Sequence, residues 1–372
     1  MPTYDVIVVG LGAMGSAAAW QLARRGKRVL GLDRFVAGHV HGSSHGGTRI
    51  IRLGYFEHPS YVPLVRRAYA SWHELESASG QSLVRITGIA EIGPPDGELV
   101  TGTLKAARMH ALPHTVLAAP ELMRRLPFRV PSDYVGVLQP DGGFLRLEPA
   151  LRVLLDLAQA AGAELRTSEA VRAIVPGRGS VRVRTDGGEV EAGAAVVAAG
   201  PWVKKLIPDL QAPLRVTRQV MAWFEPLDPA PFAADRFPVF LLETPYGVYY
   251  GFPRDEVGVK VAKHYHGNEV VDPDACDRVV SSSDEALIRP VLADHLPAAN
   301  GALVSAATCL YTMAPDGDFI IDSMGPIIVA SPCSGHGFKF APVIGEIVAD
   351  LVTTGTTAHD ISRFRLDRFA AA

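Results

Sequence analysis

The sequence lacks several features that would mark a secreted, membrane-spanning or nucleic-acid-binding protein. Only three of its 372 residues are cysteine, at Cys276, Cys309 and Cys333. They are too few and too scattered for a disulfide framework, so a reducing compartment is expected. No run approaches the roughly 18–20 apolar residues that cross a bilayer. The formal net charge of -3 gives no reason to expect a nucleic-acid or anionic-membrane partner.

Targeting signals are also missing from the two ends of the sequence. The first residues run directly into an apolar segment without a basic region, and the last three are alanines instead of a peroxisomal tripeptide. We therefore expect a cytoplasmic protein. Hydrophobic residues make up 48% and charged residues 20%, which is ordinary for an enzyme. A length of 372 residues exceeds the usual size of one hydrophobic core, so two domains are expected.

The order of apolar patterns predicts an α/β fold that is α+β overall, because βαβ structure is combined with a separate antiparallel region. A short apolar strand at 5–10, a helix over 13–25 and a second strand at 28–33 form a βαβ unit. From 213 to 263 the pattern changes to alternating strands, typical of an antiparallel sheet. Further strands at 319–322 and 327–330 precede a last helix. The remaining predicted segments are a loop over 36–48 and helices over 60–77, 147–161, 284–295 and 337–352.

Nucleotide-type structure at both ends, with antiparallel sheet between, predicts a Rossmann-like domain into which a second domain is inserted. We assign 1–84, 139–212 and 309–372 to the dinucleotide-binding domain. We assign 85–138 and 213–308 to the substrate domain.

A glycine pattern follows the first strand. Gly10, Gly12 and Gly15 match G-x-G-x-x-G, in which the glycines allow a tight turn, close approach to a pyrophosphate and close helix packing. Asp33 ends the second strand, where a carboxylate accepts hydrogen bonds from ribose hydroxyls. Arg34 is compatible with NADP or with an ordinary surface arginine. The motif predicts a dinucleotide but does not separate FAD from NAD.

Five separated blocks resemble the monomeric sarcosine oxidase and N-methyltryptophan oxidase family, whose cofactor is FAD. They keep the order and spacing of that family over essentially the whole chain. The blocks are Gly42–Arg52, Tyr249–Pro253, Cys309–Tyr311, Asp318–Asp322 and Ser334–Phe340.

The resemblance implies a covalent flavin. Cys309 matches the cysteine that carries FAD through a thioether, although a buried structural cysteine is the alternative. Cys333 is a competing candidate. His45 and Arg49 match residues beside the flavin ring, and both are counted as catalytic. The other implied cofactor residues are Ser43, Thr48, Gly335, Gly337 and Lys339.

The resemblance also implies a substrate site. Arg52 and Lys339 match a clamp for the substrate carboxylate, in which the arginine binds bidentately and the lysine adds charge. Without the family, both would be ordinary surface charges. Tyr250, Tyr311 and Leu241 match the walls of the pocket.

Two catalytic assignments come from the same comparison. Lys260 matches the lysine that activates O₂, and the alternative is a solvated residue on the polar face of a strand. His264 matches an active-site histidine, and the alternative is a structural histidine. The spacing of His39, His41 and His45 invites a metal interpretation, but no matching ligand set lies nearby, so no metal is expected.

The implied reaction is the oxidation of a small N-methyl or secondary amino acid, such as sarcosine or N-methyltryptophan, by a monomeric enzyme. Hydride passes to flavin N5, O₂ becomes H₂O₂, and the imine hydrolyses to a primary amino acid and an aldehyde. Two alternatives stay open: an FAD-dependent dehydrogenase that passes electrons to a carrier, and a nucleotide-binding regulatory protein without turnover. Ser44 and Gly47 depart from the family pattern and leave the tuning of the flavin open.

Overall fold

The computed structural model describes residues 4–267 and 269–369. Its helices are α1 Ala13–Ala23, α2 Tyr61–Ser79, α3 Glu98–His110, α4 Ala119–Arg125, α5 Leu147–Ala160, α6 Val203–Leu206, α7 Ser282–Ala286, α8 Arg289–His295 and α9 Ala341–Thr354. Its strands are β1 Tyr4–Val9, β2 Val29–Leu32, β3 Thr48–Ile51, β4 Val84–Ile86, β5 Ile89–Gly93, β6 Thr115–Ala118, β7 Val135–Gln139, β8 Gly143–Arg146, β9 Glu164–Arg166, β10 Val171–Pro176, β11 Val181–Thr185, β12 Gly188–Val197, β13 Arg215–Phe224, β14 Val239–Thr244, β15 Gly247–Arg254, β16 Val259–Lys263, β17 Leu303–Met313, β18 Ile320–Met324 and β19 Ile327–Ser331.

The first sheet has a parallel, nucleotide-binding type of core. Strands β9, β2, β1 and β12 lie side by side in parallel, and β19 continues the parallel set beside β12. The β10–β11 hairpin and β18 extend the sheet in antiparallel fashion. The buried, apolar β1 packs one face, through Val6 and Val8, in the same core as α1, and the other face, through Ile7 and Val9, in a core that includes residues of β11. Helix α1 packs closely on α9, where Gly345 faces the backbone of Ala17.

The second sheet forms the opposite layer. Its order is β17-β13-β16-β15-β14-β5-β7-β6, and every pairing is antiparallel except that of β14 with β5. The antiparallel sheet predicted for 213–263 is confirmed. The α/β class with a Rossmann-like layer and an antiparallel layer is also confirmed. A small third sheet, β3-β8-β4, lies at their junction and carries Arg49 on β3.

Most predicted helices are confirmed, and two need correction. The predicted helix over 284–295 is two short helices, because Pro290 stands at the start of α8 and cannot continue α7. The predicted helix over 337–352 begins with a short 3₁₀ turn at Phe338–Phe340, and the α-helix starts only at Ala341. The predicted loop over 36–48 ends one residue early, because Thr48 opens β3.

The division into two domains stays a prediction. Strand β7 continues through position 138/139, and β17 continues through 308/309. The predicted boundary at 84/85 likewise falls inside β4, so three of the four predicted boundaries cut a strand. Across the described residues, no helix combines the length and the hydropathy needed to cross a membrane.

The glycine turn after β1 depends on close backbone contacts. Gly10 has a φ of +91°, a conformation that suits glycine. A Cβ on Gly15 would lie 1.7 Å from the carbonyl oxygen of Gly10, which no side chain tolerates. A Cβ on Gly12 would lie 3.4 Å from the nearest protein atom, the hydroxyl of Ser44. Gly15 is therefore needed by the fold, whereas Gly12 leaves open space beside the turn.

We expect Gly15→Ala to destabilise the protein prepared without cofactor by about 1–3 kcal/mol, because the added methyl group forces the turn and α1 apart. Gly12→Ala is the matched control and should change the free energy of unfolding by less than about 0.5 kcal/mol. Urea denaturation measures both. Equal losses in the two variants would contradict the assignment of these roles.

Candidate active site

One large cavity joins the glycine turn to the second sheet in the part of the chain that the structure describes. Its volume is about 380 Å³. Gly10 and Gly12 line it at the end of β1, and Asp33 lines it after β2. Cys309 and Tyr311 line it from β17. The cavity therefore lies at the carboxyl ends of the parallel strands, where nucleotides bind in such sheets.

Asp33 braces the glycine turn. One carboxylate oxygen accepts a hydrogen bond of 2.8 Å from the backbone N–H of Leu11, and the other accepts one of 2.9 Å from Phe35. Each oxygen keeps a lone pair for a ligand. Arg34 points away from this carboxylate, since it pairs with Asp274 at 2.6 Å and stacks on Phe35. Arg34 lines the cavity with a side chain that is 37% exposed.

Strand β3 brings a guanidinium to the cysteine. Arg49 donates to the carbonyl oxygens of Ser43 and His45, at 2.9 and 2.7 Å, and the same nitrogen lies 3.8 Å from the Sγ of Cys309. The Ser43 hydroxyl donates to the carbonyl of Leu310, which fixes the loop before β3 against β17. The guanidinium therefore lies directly beside the sulfur of Cys309.

Cys333, the competing cysteine, has a different environment. Burial raises the pKa of its thiol, and its sulfur accepts a hydrogen bond of 3.3 Å from the backbone N–H of Thr312. Gly335 and Gly337 lie just beyond it in the cavity wall. Gly335 has a φ of +83°, and a Cβ on Gly337 would meet the carbonyl of Pro332 at 1.6 Å. Neither position accepts a side chain.

Three residues assigned to the site from sequence lie behind the cavity wall instead of on it: His45, Thr48 and Lys260. The Lys260 ammonium donates to the carbonyl of Gly46 at 2.7 Å and to the carbonyl and hydroxyl of Thr48 at 3.1 and 3.2 Å. Its burial lowers its pKa well below the usual range, and Arg49 adds to this effect. Gly15 also lies behind the wall, where it packs the turn.

His45 is buried, and burial lowers its pKa to about 4, so its ring is neutral. Among the described residues, its Nε2 atom has no hydrogen-bond partner.

Arg52 and Lys339 are brought together around one aromatic ring. The Arg52 guanidinium lies 4.3 Å from the ring centre of Tyr55, and the Lys339 ammonium lies 5.2 Å from it. Both cations are buried and both line the cavity. One guanidinium nitrogen of Arg52 donates to both carboxylate oxygens of Glu57, at 2.7 and 2.6 Å, and the other terminal nitrogen donates to the carbonyl of Gly54 at 2.6 Å. Glu57 was not identified from the sequence.

The charges at this end of the cavity are strongly coupled. Burial opposes ionisation of Glu57, but the Arg52 guanidinium outweighs it and holds the pKa of this carboxyl at about 2. Burial and the charge of Arg52 lower the pKa of Lys339 to about 7. Burial also opposes the charge on Arg52, yet the two carboxyl groups of Glu57 and Glu91 raise its pKa.

A chain of hydrogen bonds holds Lys339 in place. The Lys339 ammonium donates to the carbonyl of His336 at 2.8 Å and to the hydroxyl of Tyr55 at 3.4 Å. The Tyr55 hydroxyl is 2.6 Å from Nδ1 of His336, whose Nε2 is 3.1 Å from the carbonyl of Gly317. Because a carbonyl only accepts, Nε2 carries the proton and Tyr55 donates to Nδ1.

The remaining wall is apolar and aromatic. Leu241, Tyr250 and Tyr311 line the cavity as the sequence predicts, and His264 joins them. Its Nδ1 atom lies 3.5 Å from the Tyr311 hydroxyl. Burial lowers the pKa of His264 to about 3, so the ring is neutral at neutral pH. The wall therefore offers one uncharged base among aromatic rings.

A second carboxyl group stands behind Arg52 and was not identified from the sequence. Glu91 is fully buried on β5, with an oxygen 3.8 Å from a guanidinium nitrogen of Arg52. Its strand reads Ile-Ala-Glu-Ile-Gly, and an acid inside such an apolar run is the signal that could have pointed to it.

The residues present fit FAD. The open space beside Gly12, the braced carboxylate of Asp33 and the N-terminus of α1 suit a pyrophosphate and a ribose. Cys309 and the glycines at 335 and 337 line the same cavity. No group of three or more histidine, cysteine or acidic residues in the described segments is arranged to hold a metal ion.

Comparisons with known proteins agree with this geometry. The chain is 43% identical to a monomeric sarcosine oxidase of Streptomyces avermitilis, covering 100% of this chain and 99% of that protein. It is 39% identical to an N-methyl-L-tryptophan oxidase of Salmonella agona, covering 99% of both. The solved structure of NikD, an unusual amino acid oxidase essential for nikkomycin biosynthesis, superposes with a TM-score of 0.86 at 32% identity, covering 98% of each chain. Residues 5–351 match the DAO family, and the chain belongs to this family of FAD-dependent oxidoreductases.

Proposed function

We propose that this chain oxidises a small N-methyl or secondary amino acid, of the sarcosine or N-methyltryptophan type, with O₂ as the electron acceptor. The observation that carries the proposal is the pair of buried cations, Arg52 and Lys339, around Tyr55 in the cavity that also holds the glycine turn. A buried cation pair in a cofactor cleft suits a carboxylate ligand. The similarity to sarcosine and N-methyltryptophan oxidases supports the same substrate class.

The protein residues bind and orient the amino acid. Arg52 and Lys339 hold its carboxylate, and the apolar wall formed by Leu241 and Tyr250 faces the rest of the molecule. His264, neutral at neutral pH, accepts a hydrogen bond from the amine without adding charge. The aromatic surroundings keep water from the amine, which favours its uncharged, oxidisable form.

The reaction balances as a two-electron oxidation. When bound, FAD accepts the two electrons from the C–H bond next to the amine nitrogen. The amine loses two electrons and two protons and becomes an imine, which water hydrolyses to a primary amine and a carbonyl compound. For an N-methyl amino acid these are the primary amino acid and formaldehyde. The two electrons and two protons convert O₂ to H₂O₂.

Further parts of the proposal concern the state of the protein. We propose that it acts as a monomer in the cytoplasm, and that FAD is bound covalently to Cys309. The three free cysteines and the close approach of Arg49 to Cys309 support these points. The similarity to enzymes named monomeric sarcosine oxidase supports the monomer.

The substrate proposal predicts anaerobic bleaching of the flavin by sarcosine or N-methyl-L-tryptophan, but not by dimethylamine, which lacks the carboxylate. Arg52→Met should raise KM about a hundredfold, because a charge-assisted bidentate contact contributes a few kcal/mol. Arg85→Met, at an exposed arginine outside the cavity, is the control. Failure of every N-methyl amino acid to bleach the flavin would overturn the proposal in favour of a binding protein without turnover.

The oxygen proposal predicts that Lys260→Met slows reoxidation of the reduced enzyme by about a hundredfold or more, since a buried cation near the flavin stabilises developing negative charge. Stopped-flow mixing with O₂ measures this rate, and anaerobic reduction by substrate should be nearly unchanged. Lys263→Met, three residues along the same strand, is the control. A wild-type enzyme that reoxidises slowly in air but rapidly with a quinone would identify a dehydrogenase.

The covalent link predicts that acid precipitation of the purified enzyme leaves a yellow pellet. Cys309→Ser should release the flavin to the supernatant, because the serine hydroxyl is a far weaker nucleophile than a thiolate. Cys333→Ser is the control and should keep the colour in the pellet. A yellow pellet from Cys309→Ser together with a colourless one from Cys333→Ser would assign the bond to the other cysteine.

A further inference from the structure

Glu91 occupies an unusual position behind the substrate clamp. It is fully buried, and its nearest charged neighbour is the guanidinium of Arg52 at 3.8 Å. That distance is too long for a hydrogen bond. Among the described residues, neither of its carboxylate oxygens has a hydrogen-bond partner. Unpaired buried acids are rare because an ionised carboxylate needs a partner or water.

The groups around Glu91 come from four elements. Arg52 and Glu57 belong to the segment after β3, and Thr103 belongs to α3. Register places Val137 of β7 opposite Glu91. Register also places the apolar Leu241 of β14 beside Glu91. Lys339 lies on the Tyr55 ring with Arg52, farther from Glu91. Arg52 is therefore the one cation next to Glu91 in the described part of the chain.

The net charge of this group of residues depends on Glu91. Arg52 and Lys339 contribute two positive charges, and Glu57 contributes one negative charge. With Glu91 protonated the sum is one positive charge, which a substrate carboxylate neutralises. With Glu91 ionised the sum is zero, and a bound carboxylate leaves a buried negative charge without a partner. Such a charge is strongly unfavourable in a water-poor site.

We propose that Glu91 is a positioning residue: only when Glu91 is protonated, and therefore neutral, is Arg52 available to the substrate carboxylate. Binding of a carboxylate and protonation of Glu91 are then coupled. This inference rests on the proposed function, since it requires a carboxylate at Arg52. By linkage, a carboxylate that binds better to the protonated form also strengthens the hold of Glu91 on its proton.

The environment of Glu91 supports this coupling at ordinary pH. Burial raises its pKa to about 8, although the charge of Arg52 and the nearby Thr103 side chain act in the opposite direction. Glu57, in contrast, stays ionised throughout this range. Lys339 titrates near pH 7 and also weakens carboxylate binding when it loses its proton. A test must therefore separate the proton on Glu91 from the proton on Lys339.

The test uses the intact holoenzyme, with propanoate as an unreactive carboxylate and propanamide as its neutral counterpart. Flavin absorbance titrations give the dissociation constant of propanoate between about pH 6 and about pH 9.5. In the wild type, loss of the proton from Glu91 and loss of the proton from Lys339 should each lower the affinity about tenfold per pH unit at pH values above both pKa values. Glu91→Gln keeps the shape of the side chain and should remove one of them, leaving the dependence on Lys339.

A control variant, a proton-uptake measurement and a second Glu91 variant complete the test. Glu243→Gln, on the neighbouring strand β14 and outside the cavity, should keep the wild-type profile. A pH-indicator dye should show that propanoate binding at about pH 8.5 takes up fewer protons in Glu91→Gln than in the wild type. Glu91→Leu also removes the acid and should show the pH profile expected for Glu91→Gln. It replaces Glu91→Gln in the test if that variant folds poorly.

The outcomes separate this inference from the proposed function. Propanoate that binds the wild type with the same pH profile as Glu91→Gln would overturn the coupling and leave the carboxylate clamp intact. Propanoate that binds no better than propanamide at any pH would overturn the clamp itself, and the coupling with it.

Discussion

The main physical constraint on the cleft is the free-energy cost of burying positively charged side chains. The cations in or directly behind the cavity include Arg49, Arg52, Lys260 and Lys339, and the last three are nearly inaccessible to water. An unpaired buried charge costs several kcal/mol, so each cation needs a fixed partner. Arg52 uses the carboxylate of Glu57 and the carbonyl of Gly54, while Arg49, Lys260 and Lys339 donate to backbone carbonyls.

The use of carbonyl partners constrains the loop before β3. The carbonyls of Gly46 and Thr48 point at the Lys260 ammonium, which requires the chain to turn sharply between them. Gly46 and Gly47 supply that turn with φ values of +91° and +81°. Glycine suits this conformation. The departure of Gly47 from the family pattern is therefore compatible with the loop, because its φ of +81° favours glycine.

Patterns of neighbouring residues in the sequence correctly predicted those structural elements that depend on neighbouring residues alone. The βαβ unit, the glycine turn and the antiparallel strands follow from apolar periodicity and turn residues, and all are present. The resemblance identified Arg52 and Lys339, which are 287 positions apart yet share the ring of Tyr55. Glu57 and Glu91 were missed because their importance depends on a charge brought close by the tertiary fold. Similarly, the position of Lys260 behind the cavity wall depends on loop carbonyls that no periodicity reveals.

Strand β17 joins two requirements in one rigid element. Cys309 and Tyr311 are two residues apart on it, so both side chains face the same side, and both line the cavity. Any change at Tyr311 therefore disturbs the neighbourhood of the thiol. Leu241 lies on β14, three strands farther along the sheet from β13, and meets the cavity independently. Substitutions at position 241 can thus change substrate preference, in evolution or in the laboratory, without altering the surroundings of the Cys309 thiol, whereas substitutions at position 311 cannot.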